Sequence, residues 1–190
     1  EAHLQSFAPQ VTPFPQAIEP IRPGQAVRFG GAAWAAIHTP GHAYGHLMFY
    51  DPDSRRLFCG DHILPRITPN ISLLPGVDED PLGAYLDSLD EAAKLDAAIA
   101  LPGHRDPFAD TKTRTAEIRR HHDERLERMR QLLRTPMTGY ALCRRLFGDR
   151  LSVHQLRFAM AETLAHLAYL ERRELVRVSV EAEGRVYRLP

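Results

Sequence analysis

The chain has 190 residues, of which 44% are hydrophobic and 25% charged, a balance that suits one large soluble domain or two small ones with a real core. Its 24 basic and 24 acidic residues cancel, so no global field draws it to nucleic acid or to an anionic membrane. Two cysteines exclude a disulfide framework, and no apolar run approaches the ~20 residues that span a bilayer.

Residues 1–24 hold five prolines and no periodicity, and read as an extended arm that Pro23-Gly24 ends with a turn. The opening Glu1-Ala2-His3 lacks both an initiator methionine and a signal-peptide pattern, so Glu1 is not expected to be the natural start. Four strands follow: Ala26–Phe29, Ala33–His38 after the Gly30-Gly31 turn, His46–Tyr50, and Arg56–Cys59 after a turn at 51–54. Residues 64–81 contain four prolines and read as a loop. Apolar residues at 85, 86, 89, 92 and 93 predict an amphipathic helix over 85–95, and Ala97–Leu101 is a short apolar run of the buried-strand kind. Cys59 and Cys143 sit among apolar neighbours and read as buried thiols, as in a reducing cytoplasm.

Beyond Asp110 the texture becomes helical. The spacing predicts a long charged helix over 111–134 with Ile118, Leu126, Met129 and Leu133 buried. A short helix capped by Thr138 and ended by Gly148 follows, then one capped by Ser152 that runs to Arg172. The second is expected to bury Leu156, Phe158, Ala159, Thr163, Leu164, Leu167 and Leu170. Residues 175–180 and 185–189 alternate about a glycine-containing turn and predict a β-hairpin.

Three stretches carry chemistry: His38-Thr39-Pro40-Gly41-His42, Gly60-Asp61-His62 and Pro102-Gly103-His104. Each follows a predicted strand and puts a His or Asp right after a glycine, the way a sheet presents metal ligands at its edge. Imidazole nitrogen with carboxylate oxygen suits zinc, and also iron or manganese. The remaining histidines read differently. His38 and His46 are expected to orient ligands, and His62 either faces a substrate or points away. His121 and His122 are expected to be solvated, while His154 and His166 have no expected partner. Residues 67–72 serve equally as a cleft wall or as a plain connection.

In their order and spacing these motifs resemble the metallo-β-lactamase superfamily over residues 25–110. The resemblance rests on Thr39-Pro40-Gly41-His42 with Gly45-His46, on Leu57-Phe58-Cys59-Gly60-Asp61, and on Leu101-Pro102-Gly103-His104. It implies an α/β fold, the αββα sandwich. By position it implies His42 on one metal, His104 on the second, and Asp61 bridging the two as the catalytic carboxylate. The implied cofactor is a pair of zinc ions, with iron or manganese as substitutes. The family's upstream His-x-His-x-Asp-His motif has no counterpart before residue 25, where His3 is the one histidine, so the chain resembles the second half of the sandwich. The implied activity is hydrolysis, a metal-bound hydroxide attacking an ester, thioester, lactone or amide carbonyl of a small molecule. Alternatives are an RNA or DNA phosphodiesterase of the same fold and a non-catalytic, nucleic-acid-binding remnant. The first half of the fold, or a second copy of the chain, is the expected protein partner.

Residues 111–190 resemble the winged-helix extension found on one branch of that superfamily. Eight arginines (144, 145, 157, 172, 173, 177, 185 and 188) could give residues 138–190 a phosphate-binding face, but interleaved acids favour a packing role.

Overall fold

The computed structural model describes residues 17–182 and 184–190; the expected arm therefore lies, through residue 16, outside them. Two sheets are present. The first has five strands in the order β1-β2-β3-β4-β5: β1 Ala26–Phe29, β2 Ala32–His38, β3 Leu47–Asp51, β4 Arg56–Gly60 and β5 Ile99–Pro102. β1 to β4 form an antiparallel meander, and β5 pairs parallel to β4 after a crossover. The crossover carries helix α1, Pro81–Ala92. It starts four residues before the periodicity indicates, because Asp80 caps it by accepting from the Gly83 N–H at 3.0 Å and Pro81 takes the first turn, where no donor is needed.

One face of this sheet builds the core. Met48, Leu57, Cys59 and Ala100 are fully buried and meet Leu82, Tyr85, Leu86 and Leu89 of α1. Helix α2, Thr111–Leu132, adds Ile118, Leu126 and Met129 to the same cluster, as its stripe predicts. Each leucine fully buried here contributes roughly 2 kcal/mol.

The other face is aromatic. Ala36, Phe49, Phe58 and Leu101 are successive register partners across four strands and so share a side. Phe29 stacks on Trp34 at 5.0 Å, and Trp34 meets Phe58 at 4.8 Å. Phe29 and Phe58 remain 39% and 37% exposed, so this layer is half-open to solvent.

The second sheet, in the order β6-β8-β7, packs with two helices. Strand β6 is Met137–Thr138, α3 Gly139–Phe147, α4 Val153–Arg172, β7 Arg177–Glu181 and β8 Gly184–Arg188. Thr138 and Ser152 are the helix caps, Ser152 in a reciprocal capping box with Gln155. The hairpin pairs antiparallel as predicted, shifted by up to two residues. The two-residue β6 has no alternation to betray it. Phe158, expected in the core, is 51% exposed and lies beside Arg157.

Two expectations about histidines are corrected. His122 is not solvated but 1% exposed, and His166 has a partner: its Nε2 lies 3.1 Å from His122 Nδ1. The second nitrogen of His166, Nδ1, donates to the Glu162 carbonyl. Its Nε2 therefore accepts, and His122 Nδ1 donates. That leaves His122 Nε2 buried without a partner. Burial, first, and then the neighbouring ring push His122 down to about 3; burial likewise takes His166 to about 4. His121, also expected in water, is half-buried beside Arg125, and His154 is exposed. Both cysteines are buried free thiols, as expected. Among the described residues no helix is long and apolar enough to cross a membrane.

Candidate metal centre

Parallel pairing of β4 with β5 puts Gly60 opposite Pro102, and the Gly103 N–H donates to the Gly60 carbonyl at 2.8 Å. Asp61 directly follows β4, and His104 comes two residues after the end of β5, so the two side chains leave the same sheet edge together. Gly103 leaves room for that carboxylate: a Cβ there would overlap Asp61 Oδ1 and force it to shift. His42 arrives from the β2–β3 loop, which the Thr39 N–H closes onto the His46 carbonyl at 2.9 Å. At Gly41 (φ 121°) the loop presses on the Tyr85 backbone, where a side chain would collide. Tyr85 also donates its hydroxyl to the His62 carbonyl at 2.9 Å. One α1 residue thus braces the loops bearing His42 and Asp61.

The structure brings all three sequence-derived residues together. Asp61 Oδ2 lies 3.6 Å from His42 Nε2 and 3.6 Å from His104 Nε2. The two ring nitrogens are therefore at most twice that distance apart, within the ~8 Å expected for a two-metal site. His42 Nδ1 lies 2.9 Å from the Asn70 carbonyl, which can only accept, so Nδ1 holds the proton and Nε2 of the neutral ring is a bare lone pair. A lone pair facing a carboxylate is repulsive unless a cation or proton sits between them. Asp61 Oδ1 is buried with no hydrogen-bond partner. These features suit a divalent cation. Among the described residues, however, no group of three or more His, Cys, Asp or Glu side chains closes into a metal-holding cluster. What is present is two His–Asp pairs sharing one carboxylate.

The neighbouring histidines support this edge. His46 Nδ1 lies 2.7 Å from Thr39 Oγ1, and burial, followed by the nearby His42, lowers its affinity for a proton. His38 donates to the Tyr44 carbonyl at 2.7 Å. His62 points away from the edge: it is fully buried, stacks on His46, meets Tyr85 edge-on and is pushed down to about 3 by burial. Sequence reasoning missed Tyr85 and Asn70. Tyr85 opens the α1 stripe, but nothing local marks Asn70, 28 residues from the ring it holds. Ile67 and Thr68 line a cleft of about 490 Å³ together with Arg66, Arg114 and Arg120.

Comparison with known proteins gives the context. Residues 3–104 match the family described as the metallo-beta-lactamase superfamily, and residues 126–188 the metallo-beta-lactamase-like C-terminal domain. The Bacillus subtilis protein named "Probable metallo-hydrolase YqjP" is 30% identical over 171 residues, 82% of this chain and 50% of the relative. An atrochrysone carboxyl ACP thioesterase of Aspergillus chevalieri is 35% identical over 113 residues, 60% of this chain and 33% of that protein. The crystal structure of a metallo-beta-lactamase family protein from Thermus thermophilus superposes with a TM-score of 0.83 at 36% identity, covering 100% of this chain and 64% of that one. The chain thus spans from a third to just under two thirds of the length of these relatives. With its motifs in family order, residues 3–104 matched and its full length superposed on a family structure, the chain belongs to the metallo-beta-lactamase superfamily.

Proposed function

We propose that this chain is the second half of a metal-dependent hydrolase that cleaves an ester, thioester, lactone or amide bond of a small molecule. The observation that carries this is the single Asp61 oxygen standing 3.6 Å from the Nε2 of both His42 and His104. His42 and Asp61 would hold one cation, and Asp61 and His104 the second; zinc suits the donors, and iron or manganese tolerates them. A divalent metal in such a site lowers the pKa of a water it holds and polarises the carbonyl to be cleaved. The chain's own residues do the rest. Asp61 fixes the separation of the two histidines, Tyr85 holds both loops, and the Asn70 carbonyl keeps the proton on the far side of His42. A catalytic zinc normally has three protein ligands. The 190 residues alone are therefore expected to bind zinc weakly and to lack turnover, with the remaining ligands supplied by the first half of the fold. That half would also cover the aromatic face of the sheet.

We read the C-terminal unit, β6 through β8, as a winged helix with a packing role. Five of its eight candidate phosphate-binding arginines are in ion pairs instead: Arg144 with Asp149, Arg172 with Glu79, Arg173 with Asp80, Arg185 with Glu171 and Arg188 with Glu181. Two of these pairs tie the unit to the start of α1.

The test is zinc, iron and manganese content, with turnover of a thioester, a lactone, a β-lactam and a phosphodiester, on the complete protein and on its Asp61→Asn and His104→Ala variants. Loss of metal and carbonyl-ester turnover in both variants is expected. Phosphodiester turnover alone would favour a nuclease. Metal and turnover unchanged in Asp61→Asn would overturn the reading.

A further inference from the structure

The Asn70 that accepts from His42 is itself held by the C-terminal unit. Its backbone carbonyl faces the candidate ligand, and its side-chain Nδ2 donates to Glu162 Oε2 of α4 at 3.0 Å. The carboxylate can only accept, which fixes which way the amide points, and the other amide atom, Oδ1, accepts from Ser72. The second oxygen of Glu162, Oε1, accepts from Arg125 Nη1 of α2 at 2.7 Å. Glu162 and Arg125 are 15% and 20% exposed, and the Arg125 guanidinium lies over the Phe147 ring of α3. A second anchor lies three residues on, where the Leu73 N–H donates to the Ala161 carbonyl at 3.1 Å. The loop that orients His42 is thus fastened to α4, 92 residues away in sequence from Asn70.

We propose that Glu162, held by Arg125, is a positioning residue for His42, acting through Asn70. With both carboxylate oxygens engaged, Glu162 sets where Asn70 sits. Asn70 then sets which imidazole nitrogen carries the proton and where the bare Nε2 points. Ligand-orienting hydrogen bonds of this sort change metal affinity by about 10- to 100-fold when lost. The C-terminal unit is then part of the machinery of the centre. This deepens the hydrolase reading and rests on it for its metal, though the tautomer itself does not.

The test uses the whole protein, metal-free, with 15N-labelled histidine, and reads the tautomer of each ring by two-bond 1H–15N correlation; the His42 signals are assigned by their loss in His42→Gln. The wild type is expected to show His42 protonated at Nδ1. Glu162→Ala and Asn70→Ala should each raise the Nε2-protonated share about tenfold or more. Glu162→Gln, which keeps an acceptor for Asn70, should recover most of the wild-type signal, and Glu174→Ala should change nothing. The His122 and His166 signals report that each variant is folded. Zinc affinity by chelator competition should fall about tenfold or more in the two alanine variants. Folded Glu162→Ala and Asn70→Ala proteins with His42 still wholly protonated at Nδ1 would overturn the proposal. A tautomer shift in a protein whose wild-type His42 does not respond to zinc would uphold the positioning role and remove the metal reading instead.

Discussion

His122 and His166 occupy the buried seam between α2 and α4, where charge is costly. Both are held neutral in the folded chain, at about 3 and about 4, against about 6.5 when unfolded. Below about pH 6.5 the unfolded chain therefore binds protons that the folded chain refuses, and stability falls with pH. The loss is up to about 1.4 kcal/mol per pH unit for each ring, from about pH 6.5 down toward pH 4, and it is absent above pH 7. His62, pushed down to about 3, adds in the same sense. Denaturant titrations at pH 7.5, 6 and 5 should show this slope, and a His122→Phe, His166→Leu double variant should flatten most of it. The pair was legible in part. Positions 118, 122, 126 and 129 share one helical face, so His122 lies on the buried stripe of α2, although its charged neighbours suggested water. Its partner, 44 residues away, carried no such mark.

At the scale of elements, α1 is the keystone, since it braces both ligand loops and receives the C-terminal unit at its first turn. Asp80 performs two tasks there, capping α1 through Gly83 and pairing with Arg173 at 2.8 Å. Asp80→Ala should cost about 1–2 kcal/mol, mostly through the cap, because an exposed ion pair adds less. Arg173→Ala should cost less than half as much. Thermal unfolding of the two variants separates the contributions. The sequence placed the middle of α1 correctly but not its start, because a proline ending a proline-rich loop looks the same as a proline opening a helix. The caps at Thr138 and Ser152 were legible because a side chain and its target amide lie three residues apart. The clamp from Asn70 to Glu162 was not, since no local pattern encodes a contact across 92 positions.

For the whole molecule, the two faces of the five-stranded sheet differ in kind. The α1 side is closed, while the aromatic side leaves more than a third of Phe29 and Phe58 in water. Phe58→Ala in the 190-residue chain should therefore cost less than the roughly 3–5 kcal/mol typical of a fully buried phenylalanine. If the proposed first half covers that face, the same substitution in the complete protein should reach the full range. Equal costs in the two contexts would mean that nothing packs there. Strands β2 to β4 are apolar nearly throughout, so their sequences marked strands without telling the two faces apart. The three ligand motifs were legible because short glycine-bounded sequences fix each residue's place at a strand end, whereas their convergence required the fold.

The parallel pairing of β4 with β5 has a kinetic side. Asp61 and His104 are 43 residues apart, and they meet only after the chain between them has closed on itself. Such long-range closure comes late, since its entropy is lost before any contact is gained. A cation shared by the two would find its donors only on the native side of the barrier. Zinc should then slow unfolding and leave the refolding rate nearly unchanged, a signature that stopped-flow traces with and without chelator can read.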